Sequence, residues 1–348
     1  MPVVVYVLGL GLRHRGLTLF TAANPAIPAG GFIGESKSQI LAGVAAGAPE
    51  RVARFARLPA ELDAAARGEL VRRFMAEEGL GFPIVLKPDV GQRGAGVRVV
   101  RGEADLAVHL AGASAAAKDL VAQEYVPGVE LGVFYVRHPD AERGSIFSIT
   151  GKTLTAVAGD GRRTLEELIF ADDRAVAMAP LFLRRHARRL AEVPAAGERV
   201  ELVEIGNHCQ GAVFTDGGAL ATPQLADAVD RLSRGYPGFF FGRYDLRVPT
   251  LDDLRAGRSF KVIELNGVTS EATSIYDPAA SLCASYRTLF HQWRLAFEIG
   301  AANVRRGARP TPAREILRSL ARSLRPASRE KREPARSVTG EGGVAPRD

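Results

Sequence analysis

The chain has 348 residues, 46% hydrophobic and 24% charged, an ordinary globular composition with length enough for two lobes and a sizeable core. Its formal charge is +7, but Arg305 to Asp348 holds twelve Lys plus Arg against five Asp plus Glu, so the first 304 residues balance at 34 against 34. That balance excludes a basic nucleic-acid-binding body, and two cysteines without paired spacing, Cys209 and Cys283, exclude a disulfide framework and fit a reducing, cytoplasmic compartment.

Pro2 to Leu12 is nearly all apolar and is followed by Arg13-His-Arg15. It is too short to span a bilayer as a helix, and it lacks the basic start and cleavage site of a signal peptide. Val3 to Leu8 is therefore either a core β-strand or a helix lying on a membrane surface or a partner, and packing within the molecule is favoured. Thr21 to Gly31 reads as a loop from its Pro and Gly content, and Gly34-Glu-Ser-Lys-Ser then opens a helix with Ser36 as its cap. Further helices are predicted near 60–79, 103–113, 164–170, 172–191 and 223–234, alternating with strands near 82–87, 97–100, 120–126, 130–137, 145–151 and 201–205. Pro278 is expected to open a long helix to about Arg306, with Leu282, Leu289, Trp293 and Phe297 along one face. Thr311-Pro312 can start a short helix to Leu324 with Ile316, Leu317, Leu320 and Leu324 on a stripe, yet the segment after Arg306 is expected to add little core. Beyond Pro326 the composition is that of a disordered, basic tail, solvated or held at a membrane or partner.

The chemistry concentrates in two segments. Phe-Phe-Phe-Gly-Arg-Tyr-Asp-Leu-Arg-Val carries Arg243 and Asp245, and Phe-Lys-Val-Ile-Glu-Leu-Asn-Gly carries Glu264 and Asn266. Residues two apart on a strand share a face, so each strand offers a polar pair, while Tyr244, Leu246 and Val248 suit a core face. Asp, Glu and Asn are the hard oxygen donors that Mg²⁺ takes together with phosphate oxygens. Upstream, Phe82 to Lys87 is an apolar run ending on a lysine, followed by a loop with Gly91, Gly94 and Gly96 and then a second strand. Such a loop brings backbone N–H groups to an anion. It is neither a P-loop nor a dinucleotide fingerprint: Gly151-Lys152-Thr153 has Ile146 where the first P-loop glycine belongs, and Gly9 and Gly11 are followed by His14 at the third position. Only six of the 46 basic residues are lysines, which singles out Lys87 at its strand end as a phosphate ligand. His208 beside Cys209 supplies two ligands, too few for a metal site, and the segment around them reads as a strand end and turn near the site mouth.

Lys87 with its glycine loop, Val121-Ala-Gln-Glu-Tyr-Val-Pro-Gly-Val-Glu130, Arg243-Tyr-Asp245 and Glu264-Leu-Asn266, in that order, resemble the ATP-grasp superfamily, most closely its branch of D-alanine–D-alanine ligases. The resemblance runs from about Gly34 to about Gly300. It implies an α+β fold of two lobes that grip ATP between antiparallel sheets. Lys87 would hold the α- and β-phosphates under a flap from Asp89 to Gly96. Gln123 would read the adenine amino group, the backbone from Glu124 to Val126 the adenine edge, and Glu130 the ribose hydroxyls. Asp245, Glu264 and Asn266 would bind Mg²⁺ (or Mn²⁺), and Arg243 would stabilise the transferring phosphate. Lys37 and Lys152 complete the nucleotide set. The sequence departs from the branch in carrying Gln123 in place of a carboxylate, in an added charged loop from Thr250 to Arg258, and in an N-terminal domain reduced to about 34 residues. Gly159 to Ile169 instead resembles a loop and helix of cyanophycin-synthetase-like proteins.

The expected organisation is an N-terminal segment over 1–34, a first lobe over 35–125, a second over 126–306 and a basic tail over 307–348. The implied function is an ATP-dependent carboxylate–amine ligase that forms an acyl phosphate and yields ADP and phosphate, with small-molecule carboxylate and amine substrates and no nucleic-acid partner. The alternatives are an ATP-grasp small-molecule kinase, or a nucleotide-binding module tethered to a membrane or partner through residues 1–15 or the tail.

Overall fold

The computed structural model describes residues 2–91, 94–115, 118–203, 206 and 211–324. The turn expected around His208 and Cys209, Gln92 and Arg93 of the flap, and the tail beyond Leu324 lie outside the described residues. In chain order the elements are α1 (Pro2–Arg13), α2 (Lys37–Gly47), β1 (Phe55–Leu58), α3 (Ala64–Glu77), β2 (Ile84–Pro88), β3 (Arg98–Val100), α4 (Glu103–Ala115), β4 (Leu120–Glu124), β5 (Val129–Val136), β6 (Ser145–Thr153), β7 (Ala156–Ala158), α5 (Leu165–Ala171), α6 (Ala179–Arg185), β8 (Arg199–Glu201), β9 (Val213–Asp216), α7 (Pro223–Arg234), β10 (Phe241–Val248), α8 (Leu251–Arg255), β11 (Lys261–Asn266), α9 (Leu282–Arg305) and α10 (Ala313–Leu324). Side-chain caps start many of the helices: Ser36 accepts from the Gln39 N–H, Asp63 from Ala66, Thr222 from Leu225 and Ser281 from Ala284. Thr164 and Glu167 form a reciprocal capping box on α5.

Two antiparallel sheets carry the architecture, as expected for the α+β class. The smaller has strand order β1-β4-β2-β3, and α3 and α4 cover it with Val71, Phe74, Leu106 and Leu110 packed on Leu58, Ile84, Leu86 and Ala122. The larger has order β11-β10-β5-β6-β9. Its inward residues Leu131, Val133, Tyr135, Ile149, Tyr244, Leu246 and Val262 pack on α7 and also on Ile40, Leu41 and Val44 of α2. Helix α2 thus belongs to the core of the second lobe, and the cores do not divide at residue 35. A separate core of Val157, Leu165, Leu168, Phe182 and Val200 holds the inserted β7–β8 pair with α5 and α6.

The apolar N-terminal run is a helix, not a strand. Leu10 is buried, Tyr6 stacks on Phe290 of α9 at 4.5 Å between centroids, and the outward residues Val4, Val5, Leu8 and Leu12 stay exposed. Its apolar face packs on α9, within the molecule, in a cluster with Phe20, Ala296 and Phe297. Helix α9 begins at Leu282 and not at Pro278, because Asp277 turns the chain by accepting from the Ala279 N–H and Ser281 supplies the cap; Leu282 is consequently exposed. The helix expected over 172–191 shrinks to α6 and a preceding turn, where Asp172 accepts from the Arg174 and Ala175 N–H groups. No helix among the described residues is long and apolar enough to cross a membrane.

Candidate active site

The polar faces of β6, β5, β10 and β11 meet in rows across the larger sheet. Lys152 stands opposite Glu130, and Glu130 opposite Arg247. In the next row Thr150 faces Gly132, Gly132 faces Asp245, and Asp245 faces Glu264. Beyond these, Arg243 pairs with Asn266. Strand alternation therefore brings Lys152, Glu130, Arg243, Asp245, Glu264 and Asn266 onto one surface. Arg247, two residues after Asp245, is a member that sequence reasoning passed over, although the same period of two points to it.

Hydrogen bonds tie the rows together. The fully buried Lys152 ammonium lies 3.1 Å from Glu130 Oε1 and 3.1 Å from Asp245 Oδ1. Arg247 donates to Glu130 Oε2 at 3.0 Å, and Arg243 Nε donates to Asp245 Oδ1 at 2.9 Å. Arg243 also donates to the Glu271 carbonyl at 3.0 Å, fixing the loop after β11. The absent side chain of Gly132 makes room here, since a Cβ would come within 3.0 Å of Arg243 Cδ. Burial opposes the ionisation of Asp245 and Glu130, but Arg243 and Lys152 hold the Asp245 carboxyl below its ordinary range, and Lys152 and Arg247 do the same for Glu130.

The smaller sheet closes over this surface. Lys87 Nζ donates to Gln123 Oε1 and to the Ile263 carbonyl of β11, both at 2.9 Å, and Gln123 Nε2 donates to the same carbonyl. Burial pushes the Lys87 pKa down to about 8, with Glu264 opposing the shift. The Glu124 carboxylate accepts from Arg54 and from Lys261 Nζ at 2.8 Å, which clamps β4 to β11. The Glu124 N–H donates to the Arg54 carbonyl, and the Val126 carbonyl accepts from Arg247, so these two main-chain groups of the expected hinge are already engaged.

Helix α2 supplies the third wall. Lys37 Nζ donates to the Gly91 carbonyl at 2.7 Å and lies 3.8 Å from Glu264 Oε1. Asp89 is buried and accepts from Ser36 Oγ and the Ser38 N–H, which latches the start of the flap to the start of α2. Gly94 and Gly96 both take positive φ in that flap. Glu35, which sequence reasoning did not single out, lies close to the Gly267 main chain, and its Oε2 is buried and has no hydrogen-bond partner. Burial first, then the charge of Glu264, raises its pKa to about 7. Gly31, at φ +82°, makes way for it: a Cβ there would sit 2.6 Å from Glu35 Oε2.

The donor set suits a hard divalent cation. Asp245 and Glu264 face each other across β10 and β11, Asn266 Nδ2 lies 3.4 Å from Asp245 Oδ2, and Glu264 keeps a third of its side chain exposed to the cleft.

No family description matches the sequence, and no curated protein matches it. In fold the chain is similar to ATP-grasp ligases. The ATP-grasp ligase PsnB complexed with minimal precursor is 16% identical, with 74% of this chain and 59% of that one covered at a TM-score of 0.40. The D-alanine–D-alanine ligase from Bacillus anthracis is 15% identical, with 78% and 67% covered at a TM-score of 0.42. The bifunctional glutathione synthetase from Pasteurella multocida is 17% identical at a TM-score of 0.39; 74% of this chain matches only 35% of that one.

Proposed function

We propose that the chain is an ATP-dependent carboxylate–amine ligase that works through an acyl phosphate. The observation that carries this reading is the cross-strand surface on which Asp245 and Glu264 face each other between Lys152 on one side and Arg243 on the other, under Lys87 of the second sheet. Asp245, Glu264 and Asn266 would hold Mg²⁺, which when bound supplies neutralisation of phosphate charge. Lys87, Lys37 and Lys152 would pair with the phosphate oxygens, and Glu130 would accept from the ribose hydroxyls. The glycine flap, latched through Asp89, would exclude water from the phosphates. Arg243, opposite Asn266 in the register, holds its guanidinium against Asp245, where it would meet the negative charge of a substrate carboxylate attacking the γ-phosphate. The acyl carbon then takes the lone pair of an amine, and phosphate leaves with the electrons of the broken C–O bond.

Incubation with ATP, Mg²⁺, hydroxylamine and each of a panel of amino acids and small carboxylates tests the reading. An acyl phosphate is electrophilic at carbon, so the expected products are a hydroxamate, ADP and phosphate. A stable phospho-alcohol without hydroxamate would replace the ligase by a kinase, and release of AMP and pyrophosphate would overturn the phosphate geometry altogether.

A further inference from the structure

We propose that helix α1 docks the protein on the surface of an anionic lipid bilayer, an inference independent of the ligase reading. With 3.6 residues to a turn, Val4, Val5, Leu8 and Leu12 fall within an arc of about 100°. Each of these side chains is between 51% and 75% exposed. The other face of the helix is apolar too, since Tyr6, Val7 and Leu10 pack in a cluster with Phe20 and Phe297. A helix apolar all round is suited to burial, yet this one leaves its outer stripe in water. Exposed apolar side chains that stand singly, such as Val108 on α4, are ordinary. A contiguous stripe is not.

Charge identifies the occupant. Residues 1–34 contain no Asp or Glu, and their formal charges are Arg13 and Arg15, both exposed where the stripe ends. Helix α9, on which α1 packs, carries Arg287, Arg294 and Arg305 against Glu298 alone. Helix α10, fastened to the N-terminal turns through Thr311 and Thr21, adds Arg314 and Arg318 against Glu315. The apolar side chains can enter the acyl boundary while these cations meet lipid phosphates. Twelve residues make α1 about 18 Å long, so it lies in the interface plane and does not cross. A second copy of the chain suits the stripe less well. It would bring its own Arg13 and Arg15 and no acid before Glu35 to meet them. The four side chains also offer roughly 300 Å², well short of the ~800 Å² that each partner of a stable dimer buries. The segment after Leu324 is too polar to cover the stripe, its only large apolar residues being Val338 and Val344.

Flotation of the full chain with vesicles tests the docking. One set is phosphatidylcholine alone, and the other contains about 30% phosphatidylglycerol. Wild type should float with the anionic vesicles about tenfold more than with the neutral ones, and raising salt from about 0.05 M to about 0.5 M should release much of it. Val5→Asp combined with Leu12→Asp should lower partitioning about tenfold or more, and Arg13→Gln about fivefold. Val108→Asp, which removes an exposed apolar side chain elsewhere, should change nothing. Because the substituted positions are exposed, melting temperatures near wild type are expected and show that the fold is intact. The comparison of the two lipid compositions uses wild type alone and stays decisive if a variant fails to fold. No flotation with either vesicle overturns the proposal, as does equal flotation with both or an equal loss in Val108→Asp. A dimer seen by light scattering, dispersed by Val5→Asp with Leu12→Asp and absent from the vesicles, gives the stripe to a second copy and overturns it as well.

Discussion

The ammonium of Lys87, on the smaller sheet, donates to the main-chain carbonyl of Ile263, on the larger one, at 2.9 Å. The two sheets thus meet through the side chain assigned to the phosphates, and the neighbouring Gln123 converges on the same carbonyl. On the proposed reading, nucleotide entry would exchange this internal contact for phosphate oxygens, and that would tie separation of the sheets to ligand binding.

Lys87→Met should accordingly weaken ATP binding in the presence of Mg²⁺ by about tenfold or more in calorimetry. The same lysine carries a pH signature. Burial lowers its pKa from 10.5 to about 8 in the free protein, so its charge fades above pH 8 and wild-type ATP affinity should fall there. Unfolded chains keep that proton up to about 10.5, so the unfolded state binds more protons between the two values, and stability of the free protein should rise with pH across the window. Both slopes should flatten in Lys87→Met; slopes equal to wild type would remove Lys87 from the site.

Glu264 keeps a third of its side chain exposed, so loss of its charge should spare the fold. Glu264→Gln is expected to unfold cooperatively near the wild-type temperature while turnover largely disappears. ATP should bind only weakly to the wild type without Mg²⁺ if, as proposed, Asp245, Glu264 and Asn266 reach it through the ion. Equal ATP affinity with and without Mg²⁺ would count against all three as ligands.

Much of this surface was legible in advance because a strand has an exact period. Arg243 with Asp245, and Glu264 with Asn266, each lie two apart, and that spacing put them on one face before any pairing was known. Lys87 was readable as the end of an apolar run. Side-chain partners set by long-range packing were not. Glu124 looked like hinge backbone, yet its carboxylate is spent on Arg54 and Lys261, which lie 70 and 137 residues away in sequence. Glu35 carries no local signal, since its burial follows from how the Gly31 turn meets Gly267. The N-terminal run was ambiguous because apolar continuity fits a strand or a buried helix face equally, and the choice fell to α9, which offers a helix surface to pack on.

The clamp on Glu124 makes an acid-stability prediction. Burial opposes its ionisation, but Arg54 and Lys261 lower its pKa from 4.5 to about 2. A depressed carboxyl pKa stabilises the fold above the unfolded value, and that contribution is lost as pH falls from about 4.5 towards 2. Glu124→Gln should therefore show a lower urea midpoint than wild type at pH 7, with the gap narrowing through this window. A gap that stays constant from pH 7 to pH 2 would mean that the ion pairs add nothing.

Helix α10 contributes more than its composition suggested. Ile316 is buried, and the Thr311 N–H donates to Thr21 Oγ1 at 2.8 Å, so the segment is fastened to the N-terminal turns. Ile316→Ala should cost about 2 kcal/mol, whereas Leu317→Ala, at an exposed position of the same helix, should stay within about 0.5 kcal/mol. Truncation after Arg306 that leaves the melting temperature unchanged would return α10 to the role of an unattached tail.

Lys152 offers the sharpest separation of structural from functional charge. It bridges Glu130 and Asp245 from a fully buried position, and each carboxylate has one further cation, Arg247 or Arg243. Lys152→Met leaves two buried carboxylates with two arginines and should destabilise the free protein by about 2 kcal/mol, less than the loss of a sole partner. A divalent cation ligated by Asp245 would restore the missing positive charge. Mg²⁺ should therefore raise the melting temperature of Lys152→Met by more than it raises that of the wild type, where the ammonium competes for the same oxygen. Turnover should remain low even in saturating Mg²⁺, because the ion replaces the charge beside Asp245 but not the phosphate contact of the lysine. Equal Mg²⁺ shifts in the two proteins would place the ion away from Asp245, and near-wild-type turnover would leave Lys152 a purely structural bridge.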